Sequence, residues 1–150
     1  MAKILIIDDE AVIRKTLREI LEYENYSIEE AGDARKALEI LQKDDNFNAI
    51  LCDIKMQGMS GIDFLEAFSK RDNIPVIIMT GHGDVDTAVD ALKKGAYDFI
   101  QKPLDLNRLL TSVRNAIEKD NLVTTTKILK KKSRVSGFFL FVIFRFSLNF

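Results

Sequence analysis

Cysteine and histidine are almost missing from this chain, and long apolar runs are missing from its first 120 residues. Each absence closes off a class of explanation. With Cys52 as the sole cysteine, no internal disulfide can form, and a reducing compartment fits. Cys52 sits in an apolar run, which predicts a small buried hydrophobe in a strand. His82 has no second histidine to join it, so a loop residue is expected there rather than a metal ligand. The N-terminal stretch Met1–Ile7 has four consecutive apolar residues before two aspartates. That is too short for a signal peptide or a membrane span, and a cytoplasmic protein is expected. Acidic residues are missing altogether from residues 121–150, which carry six basic ones. Residues 1–120 hold 16 basic and 23 acidic residues, a net of −7. Composition therefore breaks near Asn121 and divides the chain into two parts that need separate accounts.

In the first part, short apolar runs alternate with amphipathic stretches. Lys3–Ile7, Ala49–Cys52, Pro75–Met79 and Tyr97–Ile100 read as strands, with Tyr26–Ala31 a weaker fifth. Between them, Ile13, Leu17, Ile20 and Leu21 make one stripe on a helix of about Glu10–Glu24. Ala34, Ala37, Leu38 and Leu41 repeat the spacing behind Asp33, a good N-cap. Ser60-Gly61-Ile62-Asp63 resembles a capping box and predicts a third helix that buries Ile62, Leu65 and Phe68. Val85, Ala88, Val89 and Leu92 form the stripe of a fourth helix, stopped by Gly95. Leu106, Leu109, Leu110, Val113 and Ile117 form that of a fifth, capped by Asp105. Five βα units with right-handed crossovers give an α/β fold, a doubly wound five-stranded parallel sheet with helices on both faces.

That architecture predicts where chemistry sits, because ligands bind at the carboxyl ends of the strands near a switch in strand order. Asp8 and Asp9 end the first strand, Asp53 the third and Thr80 the fourth, while Lys102-Pro103 follows the fifth. Three carboxylates on one edge repel each other unless a cation neutralises them, and hard oxygen ligands suit Mg²⁺. A carboxylate can attack phosphorus and form an acyl phosphate. Phosphoryl transfer needs charge neutralisation and positioning, which Mg²⁺, the Lys102 ammonium and the Thr80 hydroxyl would supply. Taken singly each feature has a plain structural reading, such as Asp-Asp at a helix N-terminus or Lys-Pro in a turn. Their arrival at successive strand ends of one βα series is far more specific.

Ile7-Asp8-Asp9-Glu10, Asp53 in Leu51-Cys52-Asp53-Ile54-Lys55-Met56, Gly61, Thr80-Gly81 and Lys102-Pro103 resemble the motifs of the receiver domains of bacterial two-component response regulators. The resemblance covers residues 3 to about 120 and implies a flavodoxin-like fold, shared with the chemotaxis receivers. It implies that Asp53 is the phosphoacceptor, served by a sensor histidine kinase. It also implies that Asp8, Asp9, Asp53 and the backbone carbonyl of Lys55 hold Mg²⁺, and that Thr80 and Lys102 contact the phosphoryl group. Phe99 matches the family's switch aromatic; the plainer reading is a permanently buried core ring. On phosphorylation, Thr80 moving inward would vacate space for Phe99 and change the surface of helix 4, strand 5 and helix 5. The Lys-Pro bond is usually cis in that family. Lys55 and His82 match side chains that flank the site and would tune how fast water attacks the acyl phosphate. Such a domain is a phosphoaccepting switch rather than an enzyme.

The run Gly81–Val89, with Lys93-Lys94-Gly95-Ala96-Tyr97-Asp98-Phe99-Ile100, is similar to receivers of nitrogen-regulation-type transcriptional activators. Those place an ATPase and a helix-turn-helix domain after the receiver, and neither is within these 150 residues. The chain departs from the family at Met56-Gln57-Gly58, where Met-Pro is common, and that loosens the loop beside Asp53. Domain organisation is read as a receiver over 1–120, a basic linker or helix extension over 121–136 and an apolar tail of unassigned role over 137–150. The tail holds six of the ten phenylalanines and is short for a bilayer span; membrane contact and packing on a partner both stay open. A homodimer is also left open, and direct nucleic-acid contact is not expected of the receiver. Two rival functions make different demands on these residues. A Mg²⁺-dependent aspartyl-phosphate phosphohydrolase would want an Asp-x-Asp pattern, whereas Asp53-Ile54-Lys55 lacks the second carboxylate. A nucleic-acid binder acting through the basic tail would ignore Asp53 and respond to salt.

Overall fold

The computed structural model describes residues 1–69, 73–81 and 83–132, so the expectations for His82 and for residues 133–150 lie outside it. Five strands and five helices alternate: β1 (Lys3–Ile7), α1 (Ala11–Tyr23), β2 (Ser27–Ala31), α2 (Ala34–Lys43), β3 (Ala49–Asp53), α3 (Gly61–Ser69), β4 (Val76–Thr80), α4 (Val85–Lys93), β5 (Asp98–Gln101) and α5 (Leu106–Lys132). The chain divides into two compact units, Met1–Ile117 and Glu118–Phe150. The strands form one parallel sheet in the order β2-β1-β3-β4-β5. The order reverses between β1 and β3, so the carboxyl ends of those two strands border a crevice.

The period-two alternation of the central strands explains why both faces are covered. Leu5, Ile7, Ile50, Cys52 and Ile78 point to one core, with Ala34, Ala37 and Leu41 of α2, Phe64, Leu65 and Phe68 of α3, and Ala91 of α4. Ile4, Ile6, Leu51, Ile77 and Met79 point to the other, with Leu17 and Leu21 of α1 and Leu109, Val113, Ala116 and Ile117 of α5. β2 is an edge strand whose outward glutamates are paired: Lys3 Nζ lies 3.3 Å from Glu29, and Arg18 Nε 2.6 Å from Glu30. Those charges discourage further strand pairing at that edge.

The expected helix signals act as caps. Asp33 accepts the Lys36 N–H at 2.7 Å. Ser60 Oγ accepts the Asp63 N–H at 3.1 Å while Asp63 accepts the Ser60 N–H at 3.4 Å, which completes the box. Gly95, with φ +109°, follows the last turn of α4. Two expected faces need correction. In α3 the core ring is Phe64, stacked on Phe68 with centroids 5.6 Å apart, while Ile62 is only half-buried. In α4 the buried residues are Ala88 and Ala91; Val85, Val89 and Leu92 are 53%, 42% and 39% exposed. Small residues on the inner face let α4 lie close over β4 and β5, and the larger apolar side chains are turned outward.

Candidate functional site

Four of the expected residues meet at the carboxyl edge of the sheet. Asp8 follows β1 and is fully buried, Asp53 ends β3 and is 5% exposed, and Thr80 ends β4 and is fully buried. The half-buried Lys102 follows β5, and its ammonium lies 3.4 Å from Asp8 Oδ2 and 3.3 Å from Asp53 Oδ1, bridging the two carboxylates. The Lys102 N–H donates to the Thr80 carbonyl at 2.7 Å, which ties the end of β5 to β4, and the Lys102–Pro103 bond is cis. Asp8 is fixed at both ends, since its Oδ1 accepts the Glu10 N–H at 2.9 Å and its carbonyl accepts from Arg14 Nη1 at 2.7 Å. Gly61 is required by close approach: a Cβ there would collide with the Asp53 carbonyl oxygen and lie 2.8 Å from Ile54 Cα.

The electrostatics follow from burial. Burial is the main cause of the raised pKa of Asp53, with the Lys102 ammonium opposing it and the Asp8 carboxylate adding to it. Burial pulls Lys102 down, but Asp53 and Asp8 outweigh it and hold the ammonium above its ordinary value. Burial likewise pushes the Cys52 thiol up; as expected, it is a fully buried strand residue.

Two observations bear on what the edge can receive. Thr80 Oγ1 is a buried polar atom with no hydrogen-bond partner among the described residues, which is a costly state for a hydroxyl at a strand end. Carboxylate oxygens of Asp8, Asp9 and Glu10 lie within 4.8 Å of one another, and Asp9 and Glu10 are exposed. An oxygen-only donor set with one ammonium against several carboxylates suits a hard divalent cation.

The remaining expected residues lie around this centre. Lys55, two residues past Asp53, is exposed, and its ammonium is 3.5 Å from Asp84 Oδ2. Phe99 is half-buried against the core that contains α3 and α4, so it is neither a fully enclosed ring nor a free one. Two further residues adjoin the site without a signal in the sequence pattern. Glu10 lies inside the Asp8-Asp9-Glu10 motif, where the pattern alone gives it no role. Arg14 carries no pattern signal, because its contact runs to a backbone oxygen six residues earlier. Away from the site, at the start of β5, is a clip: the Arg108 fork donates to both Asp98 oxygens at 2.8 Å and Ser112 donates to Asp98 Oδ2 at 2.7 Å.

A doubly wound sheet with acidic residues, a threonine and a lysine at these strand ends is the arrangement of one class, and the chain belongs to it: the model of the response regulator receiver domain family matches residues 4–114. It is a receiver domain of the two-component type, close to the nitrogen-regulation-type activators. Among its relatives is the C4-dicarboxylate transport transcriptional regulatory protein DctD of Pseudomonas aeruginosa, 39% identical over 129 residues, covering 85% of this chain and 28% of DctD. The crystal structure of NtrX from Brucella abortus superposes with a TM-score of 0.82 at 35% identity, covering 91% of this chain and 31% of NtrX. A receiver domain protein from Clostridium thermocellum superposes with a TM-score of 0.78 at 34% identity, covering 82% of this chain and 99% of that one. The chain thus spans less than a third of the length of the curated relatives it matches. Among the described residues, no helix is long and apolar enough to cross a membrane.

Proposed function

We propose that Asp53 accepts a phosphoryl group from a sensor histidine kinase and that the chain serves as a switch rather than an enzyme. A carboxylate oxygen of Asp53 forms a bond to phosphorus as the bond to the donor's imidazole nitrogen breaks, and the electron pair stays with that nitrogen. Lys102 already pairs with Asp53 and would neutralise a phosphoryl oxygen. The observation that carries the reading is the Thr80 hydroxyl, buried and without a partner among the described residues, a donor at the end of the strand beside Asp53's that an acceptor oxygen would satisfy. Asp8, Asp9, Asp53 and the backbone carbonyl of Lys55 would hold Mg²⁺, with Glu10 adjoining the set. When bound, that ion supplies positive charge to the equatorial oxygens of the transferring group.

Thr80 would be drawn toward the phosphoryl oxygen and Phe99 toward the space it leaves, changing the surface of α4, β5 and α5. Lys55 and His82 would tune loss of the phosphoryl group to water. The relatives' names point to control of transcription as the output, and the carrier of this receiver would be a longer cytoplasmic regulator or a partner that reads the switched face, a second copy among them. Residues 1–120 would act as the receiver, 121–136 as a basic linker and 137–150 as an appended apolar segment.

Intact-mass spectrometry after incubation with acetyl phosphate and Mg²⁺ tests the reading. One phosphoryl adduct is expected, absent from Asp53→Asn and from a metal-free sample. An unmodified mass on folded protein would identify a receiver that has lost its chemistry.

A further inference from the structure

Three of the helices begin at an aspartate, and one of these does not use it. Asp33 caps α2 through the Lys36 N–H, and Asp105 caps α5 through the Arg108 N–H at 3.2 Å. Asp84 holds the same position on α4 and makes no side-chain capping bond, with φ −86° and ψ 50° instead of the extended backbone of Asp33. The backbone of the helix start is nevertheless formed, since the Asp84 carbonyl accepts the Ala88 N–H at 3.1 Å. The carboxylate is diverted: its Oδ2 faces the Lys55 ammonium at 3.5 Å across the site, joining the β3–α3 loop to the β4–α4 loop. Gly81 leaves the room for this, because a Cβ there would sit 3.1 Å from that same Oδ2.

We propose that Lys55 and Asp84 form an exchangeable latch that couples the state of Asp53 to the first turn of α4. The proposal rests on Asp53 being the phosphoacceptor. While Asp53 is unmodified, Lys55 keeps the Asp84 carboxylate off the helix end. Lys55 is two residues from Asp53 and 80% exposed on its side chain, so its stem is free to swing. A phosphoryl group on Asp53 brings a concentrated negative charge that competes for the ammonium. Released, Asp84 turns to accept an N–H of Asp86 or Thr87 and caps α4. An exposed ion pair and an N-cap bond are of similar small worth, so one new charge suffices to choose between them. Asp84 is thus a positioning residue that acts through Lys55 and not on the phosphoryl group itself.

Amide hydrogen exchange of the Asp86 and Thr87 N–H groups in the full chain reads the latch directly. In unmodified protein, Lys55→Gln is expected to slow their exchange roughly fivefold, and adding Asp84→Ala to abolish that protection. Treatment of the unsubstituted chain with acetyl phosphate and Mg²⁺ is expected to give the same slowing, and Lys55→Gln to add little to it. Unchanged exchange in Lys55→Gln, or protection that survives Asp84→Ala, would overturn the latch. Intact mass measured on the same samples separates the two ideas. A missing phosphoryl adduct overturns the phosphoacceptor reading, while the unmodified arm still decides whether Lys55 restrains Asp84.

Discussion

Thr80 keeps a hydroxyl where its strand neighbours Ile77, Ile78 and Met79 have only apolar atoms. A buried oxygen with no partner costs about 1–3 kcal/mol in desolvation. Thr80→Val removes the oxygen and keeps the shape, so it is expected to raise the unfolding free energy of the unmodified chain by about 1 kcal/mol in urea denaturation. The same variant should lose the extra stability that phosphorylation gives the parent chain. Equal urea midpoints for the two unmodified proteins would mean that the hydroxyl is already satisfied. Asp8, Asp53, Thr80 and Lys102 were legible as a set because each interrupts or follows an apolar strand at one edge. The Lys55–Asp84 pair was not legible: 29 positions separate the two residues, and although Lys55 stands beside Asp53 nothing in the pattern links it to Asp84.

At the scale of elements, β5 and α5 are tied by the Asp98 clip. Burial pushes Asp98 up, but hydrogen bonds from Arg108 and Ser112 and from the Phe99 N–H outweigh it, leaving the carboxyl below its ordinary value of 3.8. A carboxyl lowered on folding contributes stability above its unfolded pKa and loses it as pH falls through the folded value. Thermal melts between pH 5 and about pH 3 should therefore fall more steeply for the parent chain than for Asp98→Asn; parallel curves would remove the clip from the pH response. Legibility also varied by element. β1 and β4 announced themselves because both faces are covered, whereas β2, an edge strand reading Ser-Ile-Glu-Glu-Ala, gave a faint pattern. In α3 the stripe Ile62, Leu65, Phe68 marks the buried face at Leu65 and Phe68 but omits Phe64, whose ring fills what the half-buried Ile62 does not. In α4 the stripe marks Ala88 correctly, whereas Val85, Val89 and Leu92 are exposed, because close packing on a sheet favours alanine.

Across the whole molecule, the sheet separates two apolar cores, and every member of both lies between Ile4 and Ile117 among the described residues. The order of βα units was readable from the chain because parallel strands need crossovers and crossovers have one hand. The position of β1 between β2 and β3, and so the crevice at Asp8 and Asp53, follows from packing both faces of one sheet and not from any local pattern. Cys52 stands at the middle of that arrangement, on the central strand and next to the residue proposed to be modified, with none of its surface reachable by solvent. Its thiol can meet a reagent only when the strands part. A thiol-labelling time course in native buffer should therefore act as a clock that counts openings of the sheet, and it needs no added probe because no other cysteine competes. Phosphorylation, by giving Thr80 an acceptor and Lys102 a further partner, is expected to slow that clock several-fold. Labelling equally fast with and without the phosphoryl group would place its effect at the surface and leave the interior unchanged.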